Sequence, residues 1–79
     1  MAETRDIVYD ITESIGVITK YSTGWTKEIN RVSWNDGSPK IDIRDWSADH
    51  EHMSRGITLH DEEAEKLADY IKGYLSKKK

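Results

Sequence analysis

Residues 40–46, Lys-Ile-Asp-Ile-Arg-Asp-Trp, alternate polar and apolar side chains at a period of two, and from about His60 the apolar period becomes helical. That switch constrains the fold more than any other feature of the chain. A period of two puts Ile41 and Ile43 on one side of a strand and Lys40, Asp42, Arg44 and Trp46 on the other. Further on, Ala64, Leu67, Ala68, Ile71 and Leu75 fall at i, i+3, i+4, i+7 and i+11, one apolar stripe on a helix. The acids Asp61, Glu62, Glu63 and Glu65 open this helix and Lys77 to Lys79 close it, both favourable to the helix dipole.

The rest of the chain reads as strands. The segment 6–22 is rich in β-branched residues, with Ile7, Tyr9 and Ile11 alternating, and Gly16 signals a bulge or bend. Ser22-Thr23-Gly24 is a turn, and 25–36 is a second alternating run. Asn35 to Pro39 carries an Asp-Gly hairpin signal closed by proline. A polar loop, 47–55, precedes a short apolar run at Gly56–Leu59. The expectation is an α+β fold in a single domain spanning 1–79. Its hairpin-linked antiparallel strands fall at about 6–21, 25–36, 40–46 and 55–59, and its one C-terminal helix at about 61–76. One helix covers part of one sheet face and leaves the other face to water or a ligand.

Seventy-nine residues bury only roughly 60% of the surface that the unfolded chain exposes. With 35% hydrophobic residues, no Phe and 34% charged residues, the core is thin, and a homodimer is the expected way to complete it. The absence of cysteine excludes a disulfide framework and a thiolate zinc site. The charged start has no signal-peptide pattern, and no apolar run reaches the roughly 18 residues of a membrane span. A soluble, cytoplasmic protein is expected. The net charge of -3 argues mildly against nucleic acid. Its distribution does not: Glu3, Asp6, Asp10 and Glu13 against Arg5 account for all of it, and the remaining 60 residues hold 11 charges of each sign.

Lys40, Arg44 and Trp46 on one strand face combine cations with an indole, the pattern that holds single-stranded nucleic acid. Cations meet phosphates, and each stacked base contributes about 1–3 kcal/mol. The plainer reading is a solvated face with Trp46 as packing. The second strand puts Trp25, Lys27 and Arg31 on one side and Trp34 on the other. Both sides cannot be core, so one of Trp25 and Trp34 packs and the other is available for stacking; a one-residue slip reverses the assignment. His50 and His52 lie among carboxylates but lack a distant third ligand, so a solvated loop is expected rather than a metal site. His60 reads as a helix cap. By alternation Asp42 and Asp45 lie on opposite faces and cannot form an acid–base pair. There is no nucleophile elbow, phosphate loop, dinucleotide fingerprint or Cys/His pair, so neither enzymatic activity nor a cofactor is expected.

The segments GWTKEINRVSWND, PKIDIRDWSADHEHM and RGITL, followed by the helix DEEAEKLADYIKGYL, resemble the positive cofactor four (PC4) family of transcriptional coactivators. The likeness is closest to that family's compact bacterial, YdbC-like branch. It implies a curved four-stranded antiparallel sheet followed by one α-helix, dimerised largely through the helices. It also implies binding of single-stranded DNA with little sequence preference in channels formed by the sheets, in transcription, replication or repair, and thus an association with the bacterial nucleoid when DNA-bound. Arg44 matches the family's arginine in the IDIR motif, and Arg55 its basic residue before the Gly-Ile pair. Trp46 stands where the family has an aromatic pair, and Lys40 shares its face. The hairpin is shorter than in the eukaryotic branch and lacks its aromatic and lysines.

The expected DNA contacts are therefore Trp25, Lys27, Arg31, Trp34, Lys40, Arg44, Trp46 and Arg55. The expected dimer contacts are Ala64, Leu67, Ala68, Ile71, Tyr74 and Leu75. A protein-interaction module, or RNA in place of DNA, is the competing reading of the same exposed face.

Overall fold

The computed structural model describes residues 8–77. Its elements run β1 (Tyr9–Lys20), β2 (Thr26–Trp34), β3 (Lys40–Trp46), β4 (Ile57–Leu59) and α1 (Asp61–Lys77). The four strands form one antiparallel meander in the order β1-β2-β3-β4. The sheet-then-helix order follows from the period switch at His60. The expected start of the first strand at residue 6, and Lys78 and Lys79, lie outside the described residues.

Turn chemistry sets the strand ends. Tyr21 N–H bonds the Trp25 carbonyl at 2.8 Å and Gly24 N–H bonds the Tyr21 carbonyl at 3.0 Å, closing the β1–β2 hairpin. Gly24 sits at φ 98°, a conformation that favours glycine. At the other hairpin Asn35 and Asp36 both adopt positive φ, 50° and 62°, as a type I′ turn requires, and Gly37 N–H returns to the Trp34 carbonyl at 2.9 Å. The turn thus centres on Asn35-Asp36, one residue earlier than the Asp-Gly signal places it. At the helix start, Glu63 accepts a hydrogen bond from the His60 backbone N–H at 2.8 Å, one arm of a capping box.

The irregularity of the sheet is concentrated in β1. Its register against β2 shifts between Ile11 and Glu13, Ser14 and Gly16, and Val17 and Thr19, whereas β2 pairs with β3 continuously from Thr26↔Trp46 to Val32↔Lys40. Only the shift at Gly16 had a sequence signal. Repeated bulges bend and twist an edge strand and blunt it against pairing with other chains.

The unbroken β2–β3 register resolves the faces. Thr26, Glu28, Asn30, Val32 and Trp34 share a face with Lys40, Asp42, Arg44 and Trp46; Lys27, Ile29 and Arg31 share the other with Ile41, Ile43 and Asp45. Helix α1 packs on the second face, against β3 and β4. A gap of about 160 Å³ remains there between Ile29, Ile41, Ile43 and Leu59 of the sheet and Ala64, Leu67, Ala68 and Ile71 of the helix. No residue of α1 is buried; Ile71 is 49% exposed, Leu75 56% and Tyr74 61%.

The buried centre lies on the face away from the helix. Among the described residues the wholly buried apolar side chains are Val32 and Trp46, joined by Glu28, Asn30 and Asp42. Ile41 and Ile43 lie beneath the helix, on the side opposite Trp46 as alternation places them, but Trp46, expected as a stacking surface, is wholly buried. Tyr9 of β1 and His50 of the 47–53 loop close over Trp46, with ring centroids 5.4 and 5.6 Å away.

Candidate nucleic-acid interface

The face away from the helix carries a cation and an indole in direct contact. The Arg44 guanidinium carbon lies 4.7 Å from the Trp34 ring centroid, within cation–π range. Arg44 Nε and Nη2 donate to the two oxygens of Asp42 at 2.6 and 2.8 Å, and Nη1 donates to the Ser54 carbonyl at 3.1 Å. Asp42 also accepts from the Thr58 hydroxyl at 2.9 Å, so β4 helps to orient the carboxylate. The fork geometry of the pair fixes the guanidinium plane in a way a lysine would not. Tyr9 packs on the Trp34 ring at 5.8 Å.

A polar network runs beside this cluster. Glu28 accepts from the Thr26 hydroxyl at 2.6 Å and the Asn30 amide at 3.0 Å, and its Oε2 lies 2.8 Å from His50 Nε2. Burial pushes the Glu28 carboxyl up; the hydrogen bonds from Thr26, Asn30 and His50, with the His50 charge, outweigh burial and hold it below the ordinary carboxylate range. The indole N–H groups of Trp34 and Trp46 and the Asn30 side-chain carbonyl are buried without a hydrogen-bond partner among the described residues. Each such group costs about 1–3 kcal/mol. A face shaped for stability alone would pair or remove them.

The expected contact residues divide between the two faces. Trp34, Lys40 and Arg44 lie together away from the helix, and Arg55 is exposed just before β4. Trp46 shares that face but is 0% exposed, so it offers no surface to a base and is a packing residue. Trp25, Lys27 and Arg31 lie on the helix side. Lys27 pairs with Asp45 at 3.0 Å, and this hydrogen bond, then that with Tyr21, raises the lysine pKa. Trp25 lines a shallow groove with Tyr21, Ser22, Thr23 and Asp45. Arg31 pairs with Asp61 of the helix at 3.1 Å, beside an open groove lined by Lys40, His60 and Glu62. Sequence reasoning missed Tyr9, Glu28 and His50; each joins the cluster from a distance in the chain that local patterning does not report. Among the described residues no group of three or more His, Asp or Glu side chains is placed to hold a metal ion.

An antiparallel four-stranded sheet backed by one helix, with arginine laid on tryptophan across its other face, defines a small α+β sheet module. Residues 21–70 match the family described as Transcriptional Coactivator p15 (PC4), and the chain belongs to that family. The family is one of non-enzymatic, single-stranded-DNA-binding proteins with a transcription-related role. The matched segment begins after β1, so the bulged strand that carries Tyr9 lies outside it. The chain is also similar to a protein of Treponema pallidum (strain Nichols), described as an uncharacterized protein. The two are 36% identical over 66 residues, which cover 84% of this chain and 78% of the relative. No helix among the described residues is long and apolar enough to cross a membrane.

Proposed function

We propose that the protein binds single-stranded DNA with little sequence preference, as a homodimer, on the sheet face away from the helix. The observation that carries this reading is the Arg44–Trp34 contact on the face that Lys40 shares, in a chain of this family. Lys40, Arg44 and Arg55 meet phosphates, and Trp34 stacks a base, while Trp46 packs against Tyr9, the ring that touches Trp34. Trp25, Lys27 and Arg31 sit on the other face with local acidic partners for both cations, so they contribute only where the strand passes around the sheet edge.

The homodimer reading is supported by the helix side. Ile57, Tyr70, Ile71, Tyr74 and Leu75 are exposed on this side, next to the apolar gap beneath α1, an apolar surface that a second copy would cover. Leu67, Ile71, Tyr74 and Leu75 build the contact, and Ala64 and Ala68 allow close approach.

The test is a titration with oligo-dT of about 20 nucleotides, followed by tryptophan fluorescence and anisotropy, with duplex and RNA of equal length alongside. Quenching, preference for single-stranded DNA and a fall of about 0.7 log unit in affinity per log unit of salt for each neutralised phosphate are expected. Absence of binding at about 50 mM salt overturns the reading, and equal affinity for RNA widens it to single strands in general.

A further inference from the structure

Loop 47–53 touches the cation–aromatic cluster at its middle, through His50, and at its C-terminal end, through Met53, and His50 ties it down at three points. The His50 imidazole reaches Glu28 on β2 at 2.8 Å and stacks on Trp46 of β3 at 5.6 Å and 27°. Its carbonyl accepts the Tyr9 hydroxyl of β1 at 2.9 Å. His50 also has φ 60°, a left-handed backbone that histidine adopts more readily than most residues but still at a cost. Within the loop, the Ser47 N–H bonds the His52 carbonyl at 2.9 Å and the His52 N–H bonds Ser47 Oγ at 3.0 Å, which closes the segment on itself.

The C-terminal end of this piece reaches the site. Met53 bridges to Trp46, and Ser54 exchanges hydrogen bonds with Asp45 of β3. The Ser54 carbonyl then takes Arg44 Nη1 at 3.1 Å, the side of the guanidinium that Asp42 leaves unbound. A displaced loop therefore uncovers Trp46 and releases one corner of the cation that lies over Trp34.

We infer that loop 47–53 is a latch, with His50 as the positioning residue that closes it through Glu28, Trp46 and Tyr9, and that its closure holds Arg44 over Trp34 in the geometry that receives a strand. The inference deepens the single-strand-binding reading and rests on it for its binding consequence. The geometric consequence, that latch and Arg44 move together, stands in the DNA-free protein.

The experiment compares wild type with His50→Ala, His50→Gln and Tyr9→Phe. Removing the imidazole is expected to weaken oligo-dT binding about tenfold, the equivalent of one part-buried hydrogen bond to a carboxylate. Glutamine, which offers Glu28 an N–H donor again, should restore affinity to within about threefold, and Tyr9→Phe should lose about threefold. In DNA-free protein, the NMR signals of the Trp34 indole N–H and the Arg44 Nε–H should shift in His50→Ala and return toward wild type in His50→Gln. A merely structural histidine would lower the melting temperature of the alanine variant and leave these signals and the affinity of the folded fraction unchanged, which overturns the inference. Should His50→Ala fail to fold, Tyr9→Phe decides by the same two readouts. If wild type binds no single strand, the proposed function fails, and the latch is judged on the indole and guanidinium shifts alone.

Discussion

The Arg44 guanidinium grips the buried Asp42 carboxylate with two hydrogen bonds and lies 4.7 Å from the centre of the Trp34 ring. The carboxylate has no exposed side-chain surface and the arginine has 13%. Removing either partner strands a charge away from water. Asp42→Ala should therefore cost about 3–5 kcal/mol in urea unfolding, and Arg44→Lys, which keeps the charge but loses the fork, should cost less. A loss below about 1 kcal/mol for Asp42→Ala would mean that the pair is not a structural unit.

Two tryptophans of one face should separate stability from binding. Trp46→Ala empties a wholly buried site and is expected to destabilise by about 3–5 kcal/mol. Trp34→Ala removes a half-buried ring and is expected to weaken oligo-dT binding by about 1–3 kcal/mol with a smaller loss of stability. Thermal melts and anisotropy on both variants check the split. The reverse pattern would return the stacking role to Trp46.

Gly56 permits β4 to lie against β3. A Cβ added there would collide with Arg44 Cβ and with the Ile43 carbonyl, backbone that has nowhere to go. Gly56→Ala is expected to lose about 1–3 kcal/mol or more. Hydrogen exchange of the Thr58 and Leu59 amides should accelerate ahead of those in β2; uniform protection would show that β4 accommodates the methyl.

Glu28 gives the fold a pH signature. Its folded pKa lies below its unfolded value, so the stabilisation is fully present above the ordinary carboxylate range and is lost as pH falls through the folded value. Melting temperature should drop more steeply for wild type than for Glu28→Gln as pH is lowered from about 5.5 to about 3. Parallel curves would remove Glu28 from the acid response.

On the helix side, Ile71→Glu places a charge in the proposed dimer contact, at a side chain already 49% exposed in the single chain. Sedimentation at micromolar concentration should show monomer for the variant and dimer for wild type. A wild-type monomer would refute the dimer reading.

The four-strand, one-helix order was legible in the sequence because periodicity is local. Alternation at 40–46, the Ser-Thr-Gly and Asn-Asp-Gly turns and the stripe from Ala64 to Leu75 each declare their geometry within a few residues. Helix capping by Glu63 is equally local, three residues on from His60, the cap position that the sequence marks. The contents of each face were legible only where the register was unbroken. Lys40, Arg44 and Trp46 do share a face, but alternation is silent on what covers that face.

Cover came from far along the chain. Tyr9 and His50 enclose Trp46, and the Ser54 carbonyl takes the side of Arg44 that Asp42 leaves free. The three register shifts in β1 had one glycine as their only local signal. By itself the sequence determined the elements, their order and the placing of cations with aromatics on one strand, since each depends on neighbours in the chain. The tertiary structure alone decided that Trp34 rather than Trp46 has surface to offer, and that Trp25, Lys27 and Arg31 look the other way. Burial and register are set by residues that meet only once the sheet has formed.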